Sequence, residues 1–131
     1  RSSMSPMIIT DRDGDLRLVI GSPGGSGIIA YVARATIGIL DWGQTPEEAV
    51  STGNIVARMA PARVESARLP ANLGPELAAR GWRLEENVTE ESGLHAILVT
   101  PQGYAAAADP RREGVVGRVP APAPPAPAPA R

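Results

Sequence analysis

The stretch GSPGGSG, residues 21–27, places four glycines and a proline between the apolar runs LRLVI and IIAYVARATIGIL. Glycines between a strand and a helix let the backbone approach a ligand closely. They also let successive N–H groups converge at the positive end of the helix. Such a concavity suits an anion: a phosphate, a carboxylate, or the oxyanion that develops in acyl transfer. The stretch lacks the G-K-[ST] ending of a Walker A loop, so the lysine that would hold a phosphate is absent. Gly25, Gly27 and Ala30 spell G-x-G-x-x-A, which as a dinucleotide fingerprint requires the strand of a parallel βαβ unit. An oxyanion hole would instead use the amides of Gly24 and Gly25. On spacing alone, a tight strand-to-helix turn explains the glycines equally well.

A second group bears on that choice. The chain opens RSSMSP, with Ser2 and Ser3 adjacent. The runs SPMIIT and LRLVIG flank DRDGD, an Asp-Gly turn that signals a β-hairpin. A hairpin carries the start of its first strand back beside the end of its second. Ser2 and Ser3 are therefore expected near Gly24 and Gly25. Paired hydroxyls beside converging amides would serve a carboxylate and a developing oxyanion together.

The elements that hold these residues read as follows. Residues 26–40 carry one charge, Arg34, and read as a helix buried on nearly every face, with Gly43 at its end. TPEEAVST begins a second helix, with Thr45 as N-cap, Pro46 at the first position and Glu48 completing a capping box. ARVESARL reads as a strand, GPELAARG as a short helix, and WRLEENV, LHAILVT and YAAAA as further strands. The result is an α+β body of antiparallel strands and packed helices over residues 1–114. Residues 115–131 read as a disordered Pro/Ala-rich tail.

Composition excludes several function classes. The chain has 131 residues, a net charge of −1 and no Cys, which fits one domain and removes disulfides, thiolate nucleophiles and Cys-based zinc sites. All 13 basic residues are Arg and form no basic stripe, so nucleic acid is not an expected partner. His95 is the only histidine, and no metal or other cofactor is expected. No apolar run reaches the ~20 residues that span a bilayer. The chain starts at Arg1 without an initiator Met, which suggests a piece of a longer polypeptide. Trp42 and Trp82 are expected to pack, EENVTEES to form a solvated surface, and Arg111 and Arg112 to pair with Asp109.

SSMSP, the hairpin, and GSPGGS leading into an apolar helix resemble the gamma-glutamyltranspeptidases. DWGQTPEEAV and ADPRREG resemble that family's stretches after the helix and near the end. The resemblance runs in register from Arg1 to about Gly114. It implies part of an N-terminal nucleophile hydrolase αββα sandwich, the C-terminal part of a small subunit. It implies a gamma-glutamyl acyltransferase or hydrolase that cleaves glutathione and related compounds through a gamma-glutamyl-enzyme, then passes the acyl group to water, an amino acid or a peptide. By this likeness Ser2 and Ser3 hold the substrate alpha-carboxylate, and the amides of Gly24 and Gly25 form the oxyanion hole. The likeness implies two further partners, the rest of the small subunit and the large subunit of one precursor, and a periplasmic or secreted location, with a cytoplasmic one left open. No stretch here resembles the family's nucleophile region with its leading Thr. The alternatives are a nucleotide- or anion-binding module using the G-x-G-x-x-A turn, and an inactive truncated lobe.

Overall fold

A computed structural model of the protein describes residues 2–118. Most of the expected Pro/Ala tail, residues 119–131, lies outside the described residues.

The hairpin forms from β1 (Met7–Thr10) and β2 (Leu16–Gly21), joined through Gly14 at φ +92°. Asp11 tightens the turn by accepting hydrogen bonds from the amides of Asp13 and Asp15, each at 3.0 Å. Strand β6 (His95–Thr100) adds beside β2, and β7 (Gly103–Ala108) beside β6, giving an antiparallel sheet in the order β1-β2-β6-β7. Strand alternation splits this sheet into two faces. One carries the rows Met7, Ile20, Ala96, Ala107 and Ile9, Leu18, Leu98, Ala105. All of these but Ala105 pack with helices α1 (Ile28–Leu40) and α2 (Pro46–Ser51) into the hydrophobic core. The other face carries the row Ile8, Val19, Ile97, Ala106, with Ile8 75 % and Ile97 44 % exposed.

Helix α1 departs from the sequence expectation in a specific way. It buries Ile28, Tyr31, Val32, Ala35, Gly38 and Ile39, one stripe at helical spacing. A second apolar stripe of Ile29, Ala33, Ile37 and Leu40 faces outward. A helix apolar all round thus covers the sheet with one side, and the described residues leave the other exposed. Gly43 follows the helix at φ +69°, and the Gln44 amide closes the end on the Gly38 carbonyl at 2.9 Å. Helix α2 starts with the expected capping box: Thr45 Oγ1 accepts from the Glu48 amide, and Glu48 accepts from the Thr45 amide at 2.8 Å.

A second, small sheet was not legible as such. It joins β3 (Ile55–Val56), β4 (Ala62–Val64) and β5 (Leu84–Glu86), with β3 antiparallel and β5 parallel to β4. ARVESARL is a strand only to Val64 and then forms a 3-10 turn over Ser66–Arg68. Helix α3 (Leu73–Ala79) crosses between β4 and β5. Trp42 and Trp82 do not pack as expected and are 66 % and 47 % exposed.

Candidate functional site

Strand β2 ends at Gly21, and Ser22 pins the turn that follows. Its hydroxyl donates to the Pro23 carbonyl at 2.6 Å and accepts from the Gly93 amide at 3.0 Å. Gly24 then adopts φ +128° and Gly25 φ +60°, both in the region that glycine enters without steric cost. The Gly27 amide folds back to the Gly24 carbonyl at 3.2 Å, and α1 begins at the next residue. Among the described residues, neither the Gly24 nor the Gly25 amide donates a hydrogen bond to the protein. Two free N–H groups therefore sit at the positive end of a 13-residue helix.

Ser3 lies where the hairpin argument puts it. The Ser3 amide donates to the Gly25 carbonyl at 3.0 Å, which ties the opening residues to the glycine turn. Ser2 is exposed and Ser3 half-buried, and among the described residues neither hydroxyl makes a hydrogen bond. Ser5 donates to the Ser3 carbonyl at 2.9 Å and holds that strand entry. An open cleft of about 570 Å³ adjoins the turn. It is lined by Gly24, Gly25, Tyr31, Arg63, Glu90 and Glu91 among others, but not by Ser2 or Ser3.

A chain of ion pairs lies behind the turn. Glu90 is buried, although EENVTEES reads as a solvated loop. Arg63 grips it in two-point fashion at 2.8 and 2.6 Å, and the Tyr31 hydroxyl donates to it. Burial, followed by the bond to Glu90, pushes the Tyr31 hydroxyl well above its ordinary range, so it stays protonated. Arg111 donates to Glu65 at 2.9 and 2.7 Å and to Asp109 at 2.9 Å. Glu65 also accepts from the Asn54 and Glu90 amides. Burial alone would raise both carboxyls. Hydrogen bonds from Arg111 and neighbouring amides, and from Ser92 to Asp109, outweigh it and hold both below the usual carboxylate range. Arg34 donates to Asn54 at 3.1 Å, and burial, then the nearby Arg111, lowers it to about 10.

The expected Arg111–Asp109 pair is present, and Glu65 joins it; Arg112 instead donates to the Glu91 carbonyl at 3.0 and 2.8 Å. His95 is exposed and its ring nitrogen lies 3.0 Å from the Gly93 carbonyl. Strand β2 is antiparallel to both neighbours, so Gly25, Gly27 and Ala30 do not follow the parallel strand that a dinucleotide fingerprint needs. Sequence reasoning missed Tyr31, Arg63, Glu65 and Glu90. One signal was available: Gly27 precedes Tyr31 by four residues, one helical turn, which leaves room for its ring. Among the described residues no group of His, Cys, Asp or Glu could hold a metal ion, and no helix is long and apolar enough to cross a membrane.

The antiparallel sheet with its packed helices has the α+β architecture of the N-terminal nucleophile hydrolases. A solved gamma-glutamyltranspeptidase from Pseudomonas nitroreducens, complexed with L-DON, superposes with a TM-score of 0.77 at 32 % identity, over 91 % of this chain and 63 % of that one. The Helicobacter pylori enzyme, as a T380A mutant, gives 0.74 at 30 % identity over 86 % of this chain and 62 % of that one. The gamma-glutamyltranspeptidase family profile matches residues 1–119. The chain belongs to the gamma-glutamyltranspeptidase family. Among curated relatives, the glutathione hydrolase proenzyme of Pseudomonas aeruginosa is 35 % identical over 118 residues, 87 % of this chain and 21 % of its own length. That of Escherichia coli is 37 % identical over 114 residues, 84 % of this chain and 19 % of its own. The chain thus spans about a fifth of the length of these relatives.

Proposed function

We propose that this chain supplies the oxyanion hole and part of the alpha-carboxylate site of a gamma-glutamyl acyltransferase or hydrolase. In this reading a nucleophilic Thr elsewhere in the polypeptide attacks the gamma-carbonyl of glutathione or a similar compound. The carbonyl oxygen takes up negative charge and is met by the amides of Gly24 and Gly25. Collapse of that intermediate breaks the C–N bond, releases the amine and leaves a gamma-glutamyl-enzyme, which water or an amino acid or peptide then cleaves. Ser2 and Ser3 hold the substrate alpha-carboxylate through their hydroxyls. The observation that carries the reading is the pair of unpartnered amides at positive φ, tied to Ser3 by the Ser3–Gly25 hydrogen bond.

The partners follow from the uncovered surface. The sheet face of Ile8, Val19, Ile97 and Ala106 is apolar and open, and it suits a second sheet contributed by the rest of the small subunit and the large subunit of one precursor. The names of the relatives, glutathione hydrolase proenzymes, support a precursor of this kind. A periplasmic or secreted location is part of the same proposal, by likeness to the family.

The test is turnover of a gamma-glutamyl anilide. The complete polypeptide is expected to release the aniline, and the 131-residue chain alone to release none. Turnover by the isolated chain, or a complete polypeptide inert to every gamma-glutamyl substrate, would overturn the reading.

A further inference from the structure

The glycine turn has a support of its own. A Cβ built at Gly24 would lie 2.5 Å from Tyr31 Cε2 and 3.2 Å from the Glu91 carbonyl oxygen; one built at Gly27 would lie 2.5 Å from the Tyr31 hydroxyl. The Tyr31 ring therefore sits directly against both glycines, in the space their missing side chains leave. The ring is 1 % exposed, and its hydroxyl donates to Glu90. Glu90 cannot move freely, because Arg63 holds both of its oxygens and its amide donates to Glu65 at 3.2 Å. The turn is thus backed by a ring whose own position is set from the opposite side.

We infer that Tyr31, anchored through its hydroxyl to the Arg63-clamped Glu90, is a positioning residue that sets the direction of the Gly24 and Gly25 amides. What those amides do rests on the function proposed above, but what holds them does not. A ring that only filled space would do so without its hydroxyl, because Phe has the same outline. A ring that positions the turn needs the hydroxyl. The Gly24 and Gly25 carbonyls are held by the Gly27 and Ser3 amides, but among the described residues their own N–H groups donate to nothing in the protein. Without the hydroxyl the ring is free to slide, and the direction of those N–H groups loosens with it.

The experiment is amide relaxation on the complete polypeptide with 15N-labelled glycine, together with kcat and KM on a gamma-glutamyl anilide. In the parent protein the Gly24 and Gly25 amides are expected near the rigid limit, an order parameter of about 0.85. Tyr31→Phe is expected to lower both towards about 0.6 while leaving Gly14, in the distant hairpin turn, unchanged. Glu90→Gln, which keeps an acceptor but removes the charge that fixes it, is expected to do the same to a smaller extent. Activity should follow as a fall of about tenfold in kcat with KM within twofold, as expected when a catalytic group is slightly misplaced. Unchanged order at Gly24 and Gly25 in both folded variants would overturn the inference, as would loosening spread equally to Gly14. If the amides loosen selectively but the parent polypeptide has no gamma-glutamyl activity, the positioning role stands and the proposed function falls.

Discussion

Ser3 is held by its backbone and leaves its hydroxyl free, which is what a ligand-binding serine beside a turn requires. If Ser2 and Ser3 bind as proposed, replacing both by Ala in the complete polypeptide would remove two hydrogen bonds to a charged carboxylate, each contributing about 1.5–3 kcal/mol. The loss is expected in KM for substrates that carry the alpha-carboxylate, and an analogue without it should be nearly indifferent. Equal damage to both substrates would mean that the serines are structural. The meeting of Ser3 with Gly25 was legible because a two-strand hairpin fixes which ends come together. Glu90 was not legible: a glutamate in an acidic loop defaults to solvent, and nothing local shows that Arg63 and Tyr31 will enclose it. Arg111 was legible only by half, since its pairing with Glu65 spans 46 residues. Glu65, Asp109 and Arg111 are all buried at the side chain, so Arg111→Ala strands two carboxylates and is expected to cost about 3–5 kcal/mol. Both carboxyls are depressed in the folded state, so their stabilisation is complete above the ordinary carboxylate range near pH 4 and is lost as pH falls through the lower folded values. Arg111→Ala removes much of that depression, so the stability gap between parent and variant, measured by urea unfolding followed by circular dichroism, should narrow as pH falls below about 4. A gap that does not change with pH would contradict this.

At the level of elements, signals carried within a few residues translated directly into structure. The Asp-Gly hairpin and the capping box of α2 both have local causes. Thr45→Ala should therefore lower stability by about 1 kcal/mol, read as a small fall in melting temperature without a change in KM. A fall in KM or kcat with no thermal effect would mean that this helix start does something other than cap. The small sheet was hidden for the opposite reason. Strand β3 has two residues, and β4 and β5 pair in parallel across the 3-10 turn and α3, so neither periodicity nor turn chemistry announces them. Helix α1 was legible as a helix but not in its surroundings. Apolar residues all round mean burial, but the described residues cover one stripe only.

For the molecule as a whole, the proposed function assigns that open stripe and the open sheet face to the rest of the polypeptide. Ile8→Asp with Ile97→Asp should leave the isolated chain's circular dichroism unchanged, because both positions are exposed in it. In the complete polypeptide the same pair should prevent assembly, read as loss of the native species in gel filtration. Normal assembly would show that this face is not covered. The account's central claim is that one part of the polypeptide brings the nucleophile and this part brings the amides that receive the charge. Gly25 at φ +60° shapes the test, since proline cannot adopt that angle and would distort the turn. An ester linkage in place of the amide before residue 25 deletes the N–H and keeps the backbone path. Gly25→Ala is its control, because it keeps the N–H. The measurement is kcat and KM of the complete polypeptide on a gamma-glutamyl anilide. The ester is expected to lower kcat by about 10²–10³ with KM nearly unchanged, as loss of one oxyanion donor does, and Ala to fall well short of that. A folded ester variant with the parent kcat would contradict the claim.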